Sequence, residues 1–359
     1  ELTMSDIFGI AKSGLQAYKE GLATTGQNIA NVGNEAYSRR DAPISEVKSG
    51  SEVLQISNTA GYGVKIDGIS RAFDQFIDMQ LQSATSGFSF STSQALILNQ
   101  LEQVVRPSQG SVSQRLQELF ASLNAVAQDP SDLASRHIAV DSSNALVTSI
   151  GNVAKGISDL RTLVQDNISN NIQEANSILE QLGEIQKEMM GKVTTKGIPN
   201  DLLDQRDSLL RSLSELVDIS VDYKSGGLVQ VNVGTSGQGQ SLISGVDVSS
   251  LSVQNVDGIS KVFMKSPYGD GLSKIQVQGG EIAGSLASDI TLLETKSALD
   301  DLTRKLVNEF NETHVMGVDL NGELAKEYFS LNGMQVKKHG DMKSSSQISI
   351  KGSYDSLIG

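Results

Sequence analysis

Residues that could carry catalytic chemistry are scarce in this sequence of 359 residues. It contains no cysteine, which excludes disulfides, thiolate zinc sites and cysteine nucleophiles together. None of the three histidines, His137, His314 and His339, has the glutamate and second histidine that a zinc protease places on one helix. His137 falls inside a predicted helix, where a surface or packing role is expected. The sequence therefore offers no catalytic set and predicts no cofactor.

Three aspartates at helical spacing are the best candidates for a metal site. Asp201, Asp204 and Asp207 recur at every third position, so a helix could present them on one face, and divalent cations need convergent carboxylates. No glycine-bearing calcium loop surrounds them, however, and Arg206 and Arg211 lie nearby in the sequence. A solvated acidic face with local ion pairs is therefore predicted here rather than a metal site.

Composition limits the partners that the chain can have. The net charge is −13, which makes nucleic acid and anionic membrane surfaces poor partners. No apolar run approaches the roughly 18 residues of a transmembrane helix. The three residues before Met4 are interpreted as a cloning scar, and nothing after Met4 resembles a secretory signal peptide. If the protein leaves the cell, we expect a route that keeps its N-terminal segment.

The N-terminal segment carries a seam of apolar and small residues. They recur at steps of three and four along a predicted helix, at Ile7, Ala11, Leu15, Tyr18, Leu22, Thr25, Ile29 and Val32. Such a heptad seam predicts packing against a partner helix. An ordinary amphipathic surface helix is the alternative, because only about four heptads are present and the seam includes alanine and threonine.

Helical and extended patterns alternate along the rest of the chain. Residues 38–72 are predicted to be an extended linker with a loose hairpin, with alternating runs at 53–56 and 64–69. Steps of three and four predict helices over 73–106, 111–128, 131–190, 201–217 and 284–314. The 131–190 helix lacks proline and would span on the order of 85 Å. Ser131 is expected to cap it, Asn200 to cap the next helix, and Gly87 to break the 73–106 helix.

Composition changes at Asp218, after which valine and isoleucine alternate with polar residues between glycines. The predicted fold class is mainly α with an inserted β domain, that is, an α+β multidomain chain with a long-helix rod or bundle domain and a small β-rich domain. A tight turn at 321–322 and a strand at 348–350 are predicted in the tail. The predicted domains are an N-terminal heptad helix at 4–37, a linker at 38–72, a helical rod at 73–217 with 284–359, and an outer β-rich domain at 218–283.

Three segments near the N-terminus closely resemble the signature of bacterial flagellar axial proteins. In that signature S-G-L leads to N-N-I-A-N and then to G-Y-T-R, and the matching segments are 13–15, 27–31 and 36–39. Gln27, Ala36 and Ser38 depart from the signature. The positions that carry the match are Asn28, Asn31, Tyr37 and Arg39.

A second motif narrows the resemblance to one family. The segment N-D-L-L-D-Q-R-D at 200–207, followed by a β domain, is similar to the hook-associated protein 1 family of the hook–filament junction. Segments 279–284, 308–311 and 317–322 fit the same family. The positions that carry this match are Asn200, Asp201, Asp204, Arg206 and Asp207.

The resemblance implies a structural role without catalysis. Proteins of this family resemble nested tubes, in which terminal helices line a channel, a helical rod domain lies outside them and a β domain faces outward. It further implies secretion in unfolded form through the flagellar type III apparatus. The implied partners are further copies of the chain in a ring or tube, the hook protein, the second junction protein, and an export chaperone that binds a C-terminal helix.

One departure from the family pattern concerns the C-terminus. Family members end in a second heptad helix that pairs with the first, whereas residues 353–359 carry no such pattern. Truncation at Gly359 is favoured over an unusual native end. Residues 4–37 are then expected to be mobile, or to pair with a neighbouring molecule.

The function predicted from the resemblance is a secreted structural subunit that joins hook to filament in the bacterial flagellum. One alternative is another axial protein, either the second junction protein or the hook, although a hook protein should be mostly β outside its termini. An enzyme or adhesin carried in the outer domain is a less favoured alternative. An enzyme would need a convergent polar pocket, and 218–280 offers only scattered aspartate and lysine. A third alternative is a signalling coiled coil, which should show a membrane span or a kinase-binding tip. Neither is visible in the sequence.

Overall fold

The computed structural model describes residues 4–47, 63–106, 109–192, 197–318, 322–331 and 348–350. The predicted run at 53–56, residue Asn321 of the predicted turn, and residues 353–359 lie outside these ranges. The helices are α1 Met4–Ala30, α2 Gln75–Val105, α3 Val112–Gln128, α4 Leu133–Gly191, α5 Asn200–Leu216 and α6 Gly280–His314. The described part of the chain contains no helix long and apolar enough to cross a membrane.

The strands are short and mostly antiparallel. In chain order they are β1 Arg40–Asp41, β2 Ile44–Glu46, β3 Val64–Ile66, β4 Ser70–Arg71, β5 Ile219–Tyr223, β6 Val229–Val233, β7 Ser241–Ser244, β8 Asp247–Val248, β9 Ser250–Val256, β10 Ile259–Lys265, β11 Leu272–Lys274, β12 Phe329–Leu331 and β13 Ile348–Ile350. They pair as β1–β4, β2–β3, β5–β6–β7–β8, β11–β10–β9 and β12–β13. The predicted class, mainly α with an inserted β domain, is confirmed, as is the strand at 348–350. In the linker, the run at 64–66 pairs with 44–46, and β1 pairs with β4, whereas the predicted arm at 53–56 lies outside the described ranges.

Helix α4 is 59 residues long, within two residues of the predicted ends. The prediction that Ser131 caps it is wrong: the carboxylate of Asp132 accepts hydrogen bonds from the backbone N–H groups of Ala134 and Ser135, both at 3.1 Å. Two glycines inside the helix lie where neighbours approach closely. A Cβ at Gly156 would lie 2.9 Å from Val104, and a Cβ at Gly183 would lie 2.6 Å from Val248.

The starts of α2 and α5 differ in how they are capped. Asp74 begins α2 by accepting from the backbone N–H groups of Phe76 and Ile77 at 2.9 and 3.2 Å. The helix then runs through Gly87 to Val105 without a break, so the predicted break at Gly87 is wrong. Helix α5 begins at Asn200 itself, so the prediction that Asn200 caps this helix is wrong.

The chain divides into two compact units. The first comprises 1–89, 171–252 and 262–282, and the second comprises 90–170, 253–261 and 283–359. In the first unit, the four-stranded sheet buries Val221, Val231 and Ile243 on one side, as alternation at period two requires. The predicted division at 37, 72, 217 and 283 stays a prediction.

The second unit has a core of buried apolar side chains from α3, α4 and α6, closed by the tail. Its buried members are Leu119, Val126, Ala139, Val140, Leu146, Ile150, Val307, Tyr328 and Phe329. The side-chain amide of Asn311 holds the tail in place. Its oxygen accepts from the N–H groups of Tyr328 and Phe329 at 3.0 and 2.9 Å, and its nitrogen donates to the Phe329 carbonyl at 2.8 Å.

Candidate functional site

The predicted seam of α1 faces solvent. Its large members are all more than half exposed: Ile7 57%, Leu15 73%, Tyr18 71%, Leu22 75%, Ile29 69% and Val32 90%. The opposite face buries the small residues Ala17 and Thr24 instead. Ser13 connects that face to β3, because its hydroxyl accepts a hydrogen bond from the Val64 N–H at 3.2 Å. The role of the seam in assembly stays a prediction.

Asn28 joins the end of α1 to the extended segment that follows. Its side-chain oxygen accepts from the Tyr37 hydroxyl at 2.8 Å and from the Arg40 N–H at 2.9 Å, while its nitrogen donates to the Arg40 carbonyl at 2.9 Å. Two of the signature positions, Asn28 and Tyr37, therefore contact each other. Asn31 bonds locally: its side-chain nitrogen donates to the Gln27 carbonyl at 2.9 Å, and its side-chain oxygen accepts from Asn34 at 3.4 Å.

Arg40, rather than the predicted Arg39, continues this chain of contacts. Arg39 is exposed and pairs with Asp41, which is also exposed, at 3.3 Å. The side chain of Arg40 is only 15% exposed and donates to Asp204 of α5 at 2.7 Å. Successive residues of a strand point to opposite sides, so the basic side chain that turns inward is the second of the pair.

Three arginines and two aspartates meet in what we call the ion-pair cluster, formed by Arg40, Arg71, Asp204, Arg206 and Asp207. Arg71 lies 3.0 Å from Asp204 and also pairs with Asp207, which Arg206 contacts at 2.5 Å. All five side chains are 15% exposed or less. The prediction of a solvated acidic face is therefore wrong for Asp204 and Asp207, whereas Asp201 is exposed.

Aromatic rings line the cluster. The guanidinium of Arg206 lies 5.1 Å from the ring centre of Tyr223, and that of Arg71 lies 5.0 Å from the ring centre of Phe73. These two rings meet edge to face at 5.6 Å. Arg206 also donates to the Gly227 carbonyl at 2.5 Å. Such stacking holds the guanidinium planes in place and shields the ion pairs from water.

The cluster joins segments that are far apart in the sequence. Arg40 lies on β1, Arg71 on β4, and the acids on α5, so the linker is fastened to the helix at two points. Asn200 adds a third, because its side-chain nitrogen donates to the Ile69 carbonyl at 2.8 Å. Arg211 fastens the turn before the linker to the same helix, by donating to the Glu35 carbonyl at 3.0 Å.

The electrostatics of the cluster leave one positive charge in excess and some hydrogen-bonding groups unsatisfied. Arg40 Nε, Arg71 Nε and Asp204 Oδ1 are buried without a hydrogen bond. Arg71 Nε and Asp204 Oδ1 are nevertheless 3.0 Å apart, so they attract as charges although the N–H is not aligned with the oxygen. Within the described ranges, no group of three histidine, aspartate or glutamate residues is arranged to bind a metal.

The glycines of the 279–284 motif lie where backbone or buried side chains come close. A Cβ on Gly280 would meet the backbone of Leu216 and Val217, and Gly280 has a φ of +77°, which favours glycine. Beside it, the carboxylate of Asp218 accepts from the Gln278 N–H at 3.0 Å, and burial raises the pKa of Asp218. This motif therefore fixes the start of α6 against the end of α5.

Sequence reasoning missed Arg40, Arg71, Asp78 and Tyr223. The Tyr223 hydroxyl donates to Asp78 at 2.8 Å, and Gln82 donates to the same carboxylate oxygen at 2.8 Å. Arg40 and Arg71 each belong to a two-residue strand, which is too short for a periodic pattern. Their only signal is a charged residue at the inward position of an extended segment.

Asp78 gives a pH-dependent prediction. Burial is the main cause that raises the pKa of Asp78 above its ordinary 3.8. The protonated form is thus favoured by folding, and its contribution to stability is lost as the pH rises through the raised pKa. We expect Asp78→Asn, relative to the wild type, to be more stable at pH 7 than at pH 4, as measured by urea unfolding.

The matched control for Asp78→Asn is Asp222→Asn, which removes one acidic charge from an exposed side chain of β5. The quantity to follow is the free energy of unfolding of Asp78→Asn minus that of the wild type. If this difference does not increase from pH 4 to pH 7, the role given to Asp78 is contradicted.

Comparison with known proteins gives one family. Residues 98–329 match the family described as the flagellar hook-associated protein FlgK helical domain. The chain is 26% identical to flagellar hook-associated protein 1 of Escherichia coli K12 over 354 residues, which covers 94% of this chain and 63% of that protein. It is 25% identical to flagellar hook-associated protein 1 of Bacillus subtilis 168 over 362 residues, which covers 91% of this chain and 70% of that protein. The chain therefore spans less than two thirds of the Escherichia coli relative.

A solved structure supports the fold. The flagellar hook junction protein FlgK from Burkholderia pseudomallei superposes with a TM-score of 0.64 at 24% identity. The superposition covers 71% of this chain and 47% of that one.

Proposed function

The chain belongs to the flagellar hook-associated protein FlgK family, and from that membership we propose that it is a non-enzymatic structural subunit that joins hook to filament. The observation that carries the proposal is the family match over 98–329, which includes the whole of α3, α4, α5 and α6. Its curated relatives in Escherichia coli and Bacillus subtilis bear the name flagellar hook-associated protein 1. The proposed location is accordingly the hook–filament junction, outside the cell.

In this proposal the protein works by packing, and the ion-pair cluster has a mechanical role. A subunit of a rotating tube must pass load between its terminal helix and its outer part. The cluster fastens the linker to α5 through Arg40 and Arg71, and Asn28 fastens the linker to α1. Removing one partner of a buried pair leaves an uncompensated charge and costs about 3–5 kcal/mol, so each partner is needed to hold the linker on α5.

Contacts with other molecules belong to the same proposal. The exposed seam of α1 is suited to helical partners in the assembly, because apolar residues at steps of three and four fit between the side chains of another helix. The role requires three kinds of partner: further copies of the chain in a ring or tube, the hook protein, and the second junction protein. Export in unfolded form, with a chaperone, remains part of this proposal.

Deletion of the gene in its source bacterium tests the junction role. We expect cells that keep intact hooks, lack filaments and release filament subunits into the medium, as scored by electron microscopy and by protein analysis of the supernatant. A plasmid copy of the gene should restore filaments and motility. Normal filaments in the deletion strain would contradict the proposal, and missing hooks would place the protein earlier in assembly.

A further inference from the structure

A groove in the second unit lies between four helices and is lined mainly by apolar side chains. Its lining residues come from α2, α3, α4, α6 and the segment that joins α2 to α3, and all of them belong to this unit. The apolar walls include Val104, Leu116, Val153, Ile157 and Leu299. The groove has a volume of about 650 Å³. Sites for small molecules usually have volumes of about 300–1,000 Å³, and the space between the helices of a bundle is a common place for them.

The walls of the groove are held by contacts that the protein already makes. Ser149 of α4 donates a hydrogen bond to the Gly110 carbonyl at 3.0 Å, which joins the start of α3 to α4. A Cβ at Gly156 would lie 2.9 Å from Val104, so a glycine at this point lets α2 approach α4 closely. A ligand would therefore enter a groove whose shape is set in advance, which lowers the cost of binding.

The charge of the groove distinguishes between possible ligands. Of the 18 described residues that line it, Arg106 alone carries a charge, so no acidic residue among them compensates the guanidinium. Gln103, one helical turn before Arg106, and Gln109 also line the groove, and their side-chain amides can donate to an anion. A single cation beside apolar walls matches a ligand that has an apolar body and an anionic head.

Other ligands match the groove less well. A helix about 10 Å in diameter would place only about 8 Å of its length, roughly five residues, in a volume of this size. A cationic amphiphile would be repelled by Arg106. A second groove of the same unit, between α3 and α6, is lined by Phe120 and Phe310 but also by the acidic Glu309, which would repel an anionic head. An anionic ligand therefore distinguishes between the two grooves.

We propose that the groove between α2, α3, α4 and α6 binds a free single-chain anionic amphiphile, such as a fatty acid. Its hydrocarbon chain lies between the apolar walls and its carboxylate pairs with Arg106. The ligand comes from solution as a single molecule, and it is bound without being chemically changed. This binding does not depend on the junction role, so the result of either test leaves the other proposal standing.

Calorimetric titration of the purified protein with octanoate, decanoate and dodecanoate tests the apolar part of the site. Burial of each CH₂ group strengthens binding about fourfold, so we expect Kd to fall about tenfold or more for each two carbons added. The ligands are kept below the concentrations at which they form micelles. A Kd that does not change with chain length would overturn the proposal. So would sedimentation of the protein with phosphatidylglycerol vesicles without binding of free dodecanoate.

Arg106→Gln tests the recognition of the carboxylate. We expect it to weaken dodecanoate binding about threefold, as for an exposed ion pair, and to leave the binding of uncharged 1-decanol unchanged. The matched control is Lys155→Gln, which removes one positive charge from an exposed side chain of α4 outside the groove. It should change neither affinity. Equal weakening of dodecanoate by both substitutions would reduce the effect to general attraction and overturn the role of Arg106.

Filling the groove tests its location. Ala298→Trp should weaken dodecanoate at least tenfold, whereas Ala121→Trp, at an exposed position of α3 outside the groove, should not. Undiminished binding by a folded Ala298→Trp protein would overturn the proposal, and thermal unfolding without ligand shows whether the variant folds. If it does not, a photoreactive diazirine fatty acid on the wild type decides. We expect labelled peptides from 103–116, 149–157 or 295–302, and labelling confined to other segments would place the ligand elsewhere and overturn the proposal.

Discussion

Replacing Asp207 with asparagine is expected to lower the free energy of unfolding of the first unit by about 3–5 kcal/mol. Asp207 is 1% exposed and is shared by Arg71 and Arg206. Asparagine has nearly the same volume but no charge, so both guanidinium groups would lose a buried counterion. Urea unfolding followed by circular dichroism measures the change, and hydrogen exchange at β1 and β4 should show where protection is lost.

The control for Asp207→Asn lies on the same helix. Asp201 is exposed and belongs to the same three-residue repeat of aspartates, so Asp201→Asn removes an equal charge without uncovering a buried one. We expect it to change stability by no more than about 0.5 kcal/mol. Equal effects of the two substitutions would show that the cluster contributes no more than a surface ion pair.

Replacing Gly280 with alanine is expected to cost about 3 kcal/mol or more. An alanine at a φ of +77° is strained by about 1–2 kcal/mol. The added Cβ would also collide with the backbone of Leu216 and Val217, which cannot rotate away as a side chain would. The start of α6 must therefore move from the end of α5, and urea unfolding should show the loss.

Gly151→Ala in α4 is the matched control for Gly280→Ala. A Cβ at Gly151 would have no atom outside its own helix turn within 4 Å, and the residue is helical. Alanine there should stabilise the protein by about 0.5–1 kcal/mol, because it has less freedom in the unfolded chain. A Gly280→Ala protein as stable as the wild type would show that the backbone at this junction yields easily.

The long helix could be predicted almost to its ends, whereas the cluster could not be predicted at all. Helix α4 depends on local features, namely apolar residues at steps of three and four and a run without proline. Its cap was assigned to Ser131 instead of Asp132, because both residue types form caps and the choice depends on one turn of geometry.

The ion-pair cluster could not be predicted, because it forms between segments that are far apart in the sequence. The spacing of Asp204 and Asp207 showed that they share a helix face, but nothing in that spacing shows that Arg40, 164 positions earlier, lies opposite. The choice between Arg39 and Arg40 depends on strand register, where a shift of one residue reverses the side that faces inward. The family motifs include Asn28, Tyr37, Asp204, Arg206 and Asp207, and the structure shows the contacts that these side chains make.

The distance along the chain between the partners of the ion-pair cluster has a consequence in time. Arg71 and Asp207 are 136 positions apart, so at about 5–20 residues per second a ribosome needs on the order of ten seconds to make the second after the first. During that interval the linker can bond to α1 through Asn28 but has no anchor on α5, and the apolar seam of α1 is already synthesised. Each nascent chain is therefore exposed to premature association with its neighbours on the same messenger RNA, and whatever keeps these chains apart must act before α5 exists.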